Sequence, residues 1–178
     1  MSLRERLQTA LKEAMKAKAA DRLSTLRLIN AAIKEATDAG IVVVAVDQAV
    51  TEPSAYILSN NQEEYAYLGA KWLFEQMGGK GQVLLVDGTP IQTIIDRITG
   101  CRNVASKFPD IKIVGQQASR NDRASGMSVT TDMLTANPDV TGIFGMNDPS
   151  ALGAVLAVEQ AGKSGQIIVT GVDGSPEA

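Results

Sequence analysis

Histidine is absent from the 178 residues, and cysteine occurs once, at Cys101. Without histidine there is no Ser–His or Cys–His nucleophile, no imidazole base and no common zinc ligand set. A single cysteine excludes an internal disulfide, and with no imidazole to activate it Cys101 reads as a small buried hydrophobe. Aromatic residues are 4% of the chain, too few to interleave with its basic side chains as a nucleic-acid surface requires. No apolar stretch approaches the roughly 20 residues of a membrane-spanning helix. The opening MSLRERLQTA lacks the apolar core and cleavage site of a secretory signal, so the chain as written is expected in the cytoplasm.

Glycine and proline are also missing from residues 1–36, and the charge balance changes at the same place. Residues 1–36 carry eight Lys/Arg against four acids, a net of +4, while the remaining 142 carry nine against sixteen, a net of −7. Leu3, Leu7, Leu11, Ala14 and Met15, then Leu23, Leu26, Ile29 and Ile33, recur at helical spacing. Ser2 and Glu5 have the spacing of a capping box, and KAKAAD with Asp21 marks a break before a second helix. A helical hairpin over 1–36 is therefore expected, joined to a separate domain over 37–178. Its basic residues read either as a solvated helix face or as a nucleic-acid patch, and the acidic whole argues against the latter.

After residue 37, short β-branched runs alternate with helix-length segments. IVVVAVD (41–47), QVLLVDG (82–88), IKIVGQ (111–116), TGIFGMND (141–148) and QIIVTGVDG (166–174) read as strands. Helices are expected at about 62–77, 90–106, 122–136 and 149–161. Near-continuous apolarity in the strands means that both sheet faces are covered, so the fold class is α/β: a doubly wound, flavodoxin-like parallel sheet carrying the helical hairpin. Asp148 is placed as the N-cap of the last helix, with Pro149 at its first position and Gly162 beyond its end.

Polar residues stand at the strand ends: Asp47, Asp87, Asn147 with Asp148, and Asp173. Ligands of open parallel sheets lie at the carboxyl ends of the strands. Helix caps and turns use the same residue types, and for Asp87 and Asp148 that reading is the simpler one. Arg97 likewise admits a plain ion pair, with Asp96 or a neighbouring helix. No enzyme is indicated. MGGKG (77–81) precedes a strand, where a phosphate loop would follow one, and the acids lack the paired spacing of a magnesium site. No catalytic residue, metal or cofactor is therefore expected.

Two resemblances sharpen this picture. Residues 1–36, through EAMKAK, RLSTLRL and AAIKEA in that order, resemble the amino-terminal helices of the YqeY family. From GIVVVAVDQ through ILSNN, MGGKGQVLLVDG, DRITG, FPDIKIVGQQ, NDRASG and TDMLTANPDVTGIFGMNDPSALGAV to IIVTGVDGSPEA, the remainder resembles the type I periplasmic sugar-binding proteins of ABC transporters, the ribose-binding group in particular.

That likeness implies a lobe whose Asp, Asn and Arg side chains hold a monosaccharide. It assigns hydroxyl contacts to Asp47, Arg97, Asn147 and Asp173, and a place at the crossover between lobes to Ser59. Asn147 would then touch the sugar while Asp148 caps the helix. Stacking aromatics are thin against the family pattern, at Val172, Cys101 and Asn121. The combination implies a recombined or engineered chimera with inherited, weakened or lost binding of a ribose-like sugar, in a parent family that is periplasmic. A protein- or tRNA-binding module through the basic hairpin is the alternative, and an exposed strand 41–47 or the hairpin leaves a second copy of the chain as a candidate partner.

Overall fold

The computed structural model describes residues 20–47, 50 and 52–177, with side chains from Ser24 onward. The first expected helix of the hairpin lies outside the described residues. The second is α1 (Ala20–Asp38), which runs unbroken past residue 36. It ends where Gly40 adopts φ +80° and returns its amide to the Thr37 carbonyl.

The described residues fall into two compact units, divided between Asn60 and Asn61. In the first, β1 (Val44–Val46) pairs in parallel with β2 (Tyr56–Leu58), Val44 opposite Tyr56 and Val46 opposite Leu58. Strand 41–47 is thus shorter than its sequence suggests and belongs to a two-stranded sheet of its own. Its partner β2 was not anticipated, since three residues are too few for a period-2 signal. Val44, Val46, Tyr56 and Leu58 are all exposed.

The second unit holds α2 (Gln62–Gln76), β3 (Lys80–Asp87), α3 (Gln92–Ala105), β4 (Asp110–Ala118), α4 (Arg123–Ala136), β5 (Val140–Gly145), α5 (Asp148–Gln160) and β6 (Ile168–Thr170). The four strands are parallel in the order β4-β3-β5-β6. Their continuous apolarity has a direct cause. Val83, Leu85 and Phe144 enter one core layer with Ala66, Leu73, Phe74, Cys101 and Val104 of α2 and α3. The alternate residues Leu84, Val86 and Ile143 enter the opposite layer with Met133, Leu134, Ala154 and Val158 of α4 and α5. Each large side chain buried in this way contributes about 1.5–3 kcal/mol. The sheet is therefore wound on both faces, as the sequence pattern predicts.

MGGKG proves to be the stop of α2, with Gly78 and Gly79 both at positive φ. β6 ends at Thr170, short of the expected 174, because the amides of Asp173 and Ser175 bond to the Asp148 carboxylate instead of extending the ladder.

Glycine sets the spacing within both helix pairs. A Cβ on Gly100 of α3 would overlap the Glu63 carbonyl of α2, and one on Gly153 of α5 would overlap the backbone of α4 at Arg123. The close approach at Gly100 brings Arg97, one turn earlier on α3, beside the first turn of α2. The strand order also fixes a switch point. Successive connections leave β3 and β5 in opposite directions, so a crevice is expected at the carboxyl ends of those two strands.

Candidate functional site

Asp87 ends β3, and Met146, Asn147 and Asp148 follow β5, so these residues stand at the switch point. Arg97 of α3 reaches the same rim. It is 8% exposed and spends its guanidinium on three acceptors: Nε donates to Gln62 Oε1 at 2.8 Å, and Nη1 donates to the Met146 carbonyl at 2.6 Å and to Asp173 Oδ1 at 2.7 Å. The Tyr65 ring lies 5.5 Å from the guanidinium carbon, within cation–π range. A nearly buried guanidinium needs this many partners, because an unpaired buried charge costs several kcal/mol. Its ion-pair partner is therefore Asp173, 76 residues away in sequence, and not its neighbour Asp96.

Asp173 sits in the segment after β6 and is locked to Asp148 in both directions. Asp173 Oδ2 accepts from the Asp148 amide at 3.0 Å, and Asp148 Oδ1 accepts from the Asp173 amide at 2.9 Å. Asp148 Oδ2 takes the Ser175 amide at 2.7 Å. Burial of Asp148, 1% exposed, pushes its carboxyl up. The amides of Ser175 and Asp173 outweigh that and hold it below the usual carboxylate value.

The capping role expected of Asp148 falls to its neighbour Asn147. Asn147 is the N-cap of α5, with extended backbone and Oδ1 accepting from the Ser150 amide at 2.9 Å. Asp148 is the first helical residue and clamps the 171–175 segment. Both are good capping types, and a contact 25 residues away decides between them. Capping engages only the Oδ1 end of Asn147, and its Nδ2 points toward the Asn121 carbonyl at 3.5 Å.

Asn121, with φ +64°, closes the rim above β4 and accepts the Thr89 amide on its Oδ1 at 3.2 Å. Asp87 is a turn residue, as its simpler reading held: it accepts the Gly88 amide at 2.7 Å and the Gln116 amide nitrogen at 2.7 Å.

Arg97, Asn147 and Asp173 therefore converge. Asp47 and Ser59 belong to the other unit, where each directly follows a strand whose last residues, Val46 and Leu58, are paired. Asp47 is exposed and holds the left-handed φ of +57°, uncommon for a residue other than glycine.

The expectation about missing aromatics also changes. Val172 and Cys101 are buried in one core cluster with Phe144 and Leu73. Burial pushes the Cys101 thiol up to about 12, and it stays protonated and inert, as its sequence context implied. Of the three thin positions, Asn121 is the one at the rim.

Gln62, Tyr65 and the Asp148 clamp were not recognised from sequence. Gln62 meets Arg97 across 35 residues, and no local pattern announces such a pair. A cavity of about 530 Å³ opens at the opposite, amino-terminal ends of the strands. Its polar lining, Lys80, Thr141 and Gln166, is exposed. Among the described residues no group of acids, cysteines or histidines has metal-site geometry, and no helix is long and apolar enough to cross a membrane.

A doubly wound parallel lobe with fixed donors and acceptors gathered at its switch point defines a ligand-binding class of fold. The chain belongs to the periplasmic binding protein domain family, whose model matches residues 24–178. It is 33% identical over 148 residues to the D-apiose import binding protein of Actinobacillus succinogenes, covering 81% of this chain and 47% of that protein. It is also 33% identical over 155 residues to the ribose import binding protein of Escherichia coli, covering 82% and 49%.

Among solved structures, an ABC transporter periplasmic solute binding protein from A. succinogenes with bound D-allose superposes with a TM-score of 0.80 at 35% identity, covering 83% of this chain and 56% of that one. The arabinose-transporter binding protein of Shewanella sp. ANA-3 gives a TM-score of 0.75 at 26% identity, covering 95% and 70%. The chain spans about half the length of the curated relatives it matches.

The Asp148 clamp makes a pH-dependent contribution with a definite sign. Its folded carboxyl titrates below the unfolded value of about 3.9, so its stabilisation is complete above that value and is lost as the pH falls through the folded one. Urea unfolding should find Asp148→Ala less stable by on the order of 2–4 kcal/mol at pH 7, since two amides lose their acceptor. The gap between wild type and Asp148→Asn should shrink steadily from pH 5 to pH 2.5, and a gap that stays constant over that range would contradict the assignment.

Proposed function

We propose that the protein binds a monosaccharide, ribose-like in size, and leaves it chemically unchanged. What carries the reading is the meeting of Arg97, Asn147 and Asp173 at the switch point: Arg97 donates to Asp173 and to the Met146 carbonyl, Asp173 accepts the Asp148 amide, and Asn147 lies between Met146 and Asp148 with its side-chain amide nitrogen on the Asn121 carbonyl. Sugar hydroxyls both donate and accept, and such a mixed set suits them. Arg97 Nε and Nη1 are committed to protein acceptors, so Nη2 is the nitrogen offered to the ligand. Asp173, with a side chain 34% exposed, offers its carboxylate beside it. Relatives named for apiose, allose and ribose support the same ligand class.

The family likeness carries Asp47 over as a further hydroxyl contact in this proposal and Ser59 as a residue of the crossover between lobes. The YqeY-like segment over 1–36 adds none. Its junction with the sugar-binding part, near residue 37, is read as the seam of a recombined or engineered chimera; the family match begins at residue 24, within α1. Affinity of the 178-residue polypeptide is modest. Three hydrogen bonds worth about 0.5–1.5 kcal/mol each sum to about 1.5–4.5 kcal/mol, and a millimolar Kd, worth about 4 kcal/mol, stands at the strong end of that range.

A second copy of the chain is the proposed protein partner, because β1 and β2 expose Val44, Val46, Tyr56 and Leu58 on a sheet of only two strands. Parallel strands with a bare apolar face are prone to further pairing. Light scattering should report twice the 18.8 kDa chain mass and revert to the monomer in Val44→Lys/Leu58→Lys. A monomer at every concentration would rule the pairing out.

Thermal melts with ribose, allose, arabinose and galactose test the binding itself. At ten times Kd, the matching sugar should raise Tm by about 3–6 °C, and both Arg97→Ala and Asn147→Ala should abolish the rise. A rise that survives both substitutions would remove these residues from the site. A salt-dependent shift with tRNA and no response to any sugar would favour the basic segment as the working part.

A further inference from the structure

Arg97 meets its acceptors from two sides, and the side away from Asp173 is held by a neutral group. Gln62, 7% exposed, stands at the start of α2, just beyond the Asn61 N-cap. Its Oε1 accepts from Nε at 2.8 Å, while Nη1 serves Met146 and Asp173. A guanidinium is rigid and planar, so an acceptor at Nε together with one at Nη1 fixes both its position and its roll. Gly100, which lets α3 lie against the α2 backbone at Glu63, brings the two side chains within reach.

We propose that Gln62 is a positioning residue for the ligand site: it fixes the plane of Arg97 through Nε, and its neutrality leaves the arginine charge to Asp173 and the ligand. The inference rests on the reading of Arg97 and Asp173 as sugar contacts. A carboxylate in place of the amide would form a charge-assisted bond to Nε, stronger than the neutral one, and compete directly with Asp173 for the cation. An apolar side chain of similar length would leave a nearly buried Nε–H without this acceptor and free the plane to turn.

The test is a set of double-mutant cycles. Arg97→Met, Asp173→Asn and the double variant are compared by urea unfolding in the wild-type, Gln62→Glu and Gln62→Met backgrounds. Isothermal titration with D-ribose and D-allose is run on wild type and the two Gln62 variants. The Arg97–Asp173 coupling should fall at least twofold in both backgrounds. Sugar Kd should rise tenfold or more, with the Gln62→Glu protein melting within a few degrees of wild type or above it.

A residue with a merely structural role would lower Tm and leave both coupling and Kd unchanged. Coupling that persists undiminished overturns the proposal, whatever the sugar data show. If the coupling falls while wild type binds neither sugar, Gln62 still positions Arg97 and the sugar reading is what fails.

Discussion

A guanidinium that is almost out of water must be satisfied where it stands, and the rest of the site follows from that requirement. Arg97 brings together the start of α2 through Gln62, the end of β5 through the Met146 carbonyl and the segment after β6 through Asp173. None of these is adjacent in sequence. The Asp148 carboxylate closes the arrangement from the other side, taking the amides that β6 would otherwise have used to lengthen its ladder. Backbone hydrogen bonding is conserved in the exchange. What changes is that a strand end becomes a rigid platform for Asp173.

The core makes this possible. Side chains that alternate along β3 and β5 fill two layers, and each layer is sealed by a helix pair that meets at glycine. Such packing transmits little slack. Arg97 on α3, Asn147 at the cap of α5 and Asp173 after β6 are consequently held by elements that share one sheet. A site on rigid elements loses less conformational freedom when a ligand arrives, which matters where each hydrogen bond contributes little.

Much of this was legible in the sequence, for identifiable reasons. Strands covered on both faces announce themselves as unbroken β-branched runs, so β3, β4 and β5 lie close to where composition puts them. The helices were equally plain from their periodicity and their caps. β1 and β2 were harder: β2 has three residues, exposed at both ends, and so short a stretch carries no readable period.

Side-chain roles were less accessible still. Asn147 and Asp148 are equally good caps in isolation, and the choice between them is made by Asp173 and Ser175. Val172 and Cys101 sit beside site residues in sequence, yet their side chains belong to the core. Arg97 was identified from a family motif, but nothing near it in sequence reveals Gln62 or Asp173 as its partners. Local chemistry writes elements into a sequence. Long-range satisfaction of buried polar groups does not appear there.

The central claim is that ligand meets this protein at the Arg97–Asp173 network on the carboxyl rim of the sheet. Proton–nitrogen correlation spectra recorded during a D-ribose or D-allose titration test it most directly. The account predicts the largest shifts at the Arg97 Nε–H, the amides of Met146 to Asp148 and those of Val172 to Ser175. Shifts concentrated instead around Lys80, Gly81, Thr141 and Gln166 at the opposite rim would contradict it.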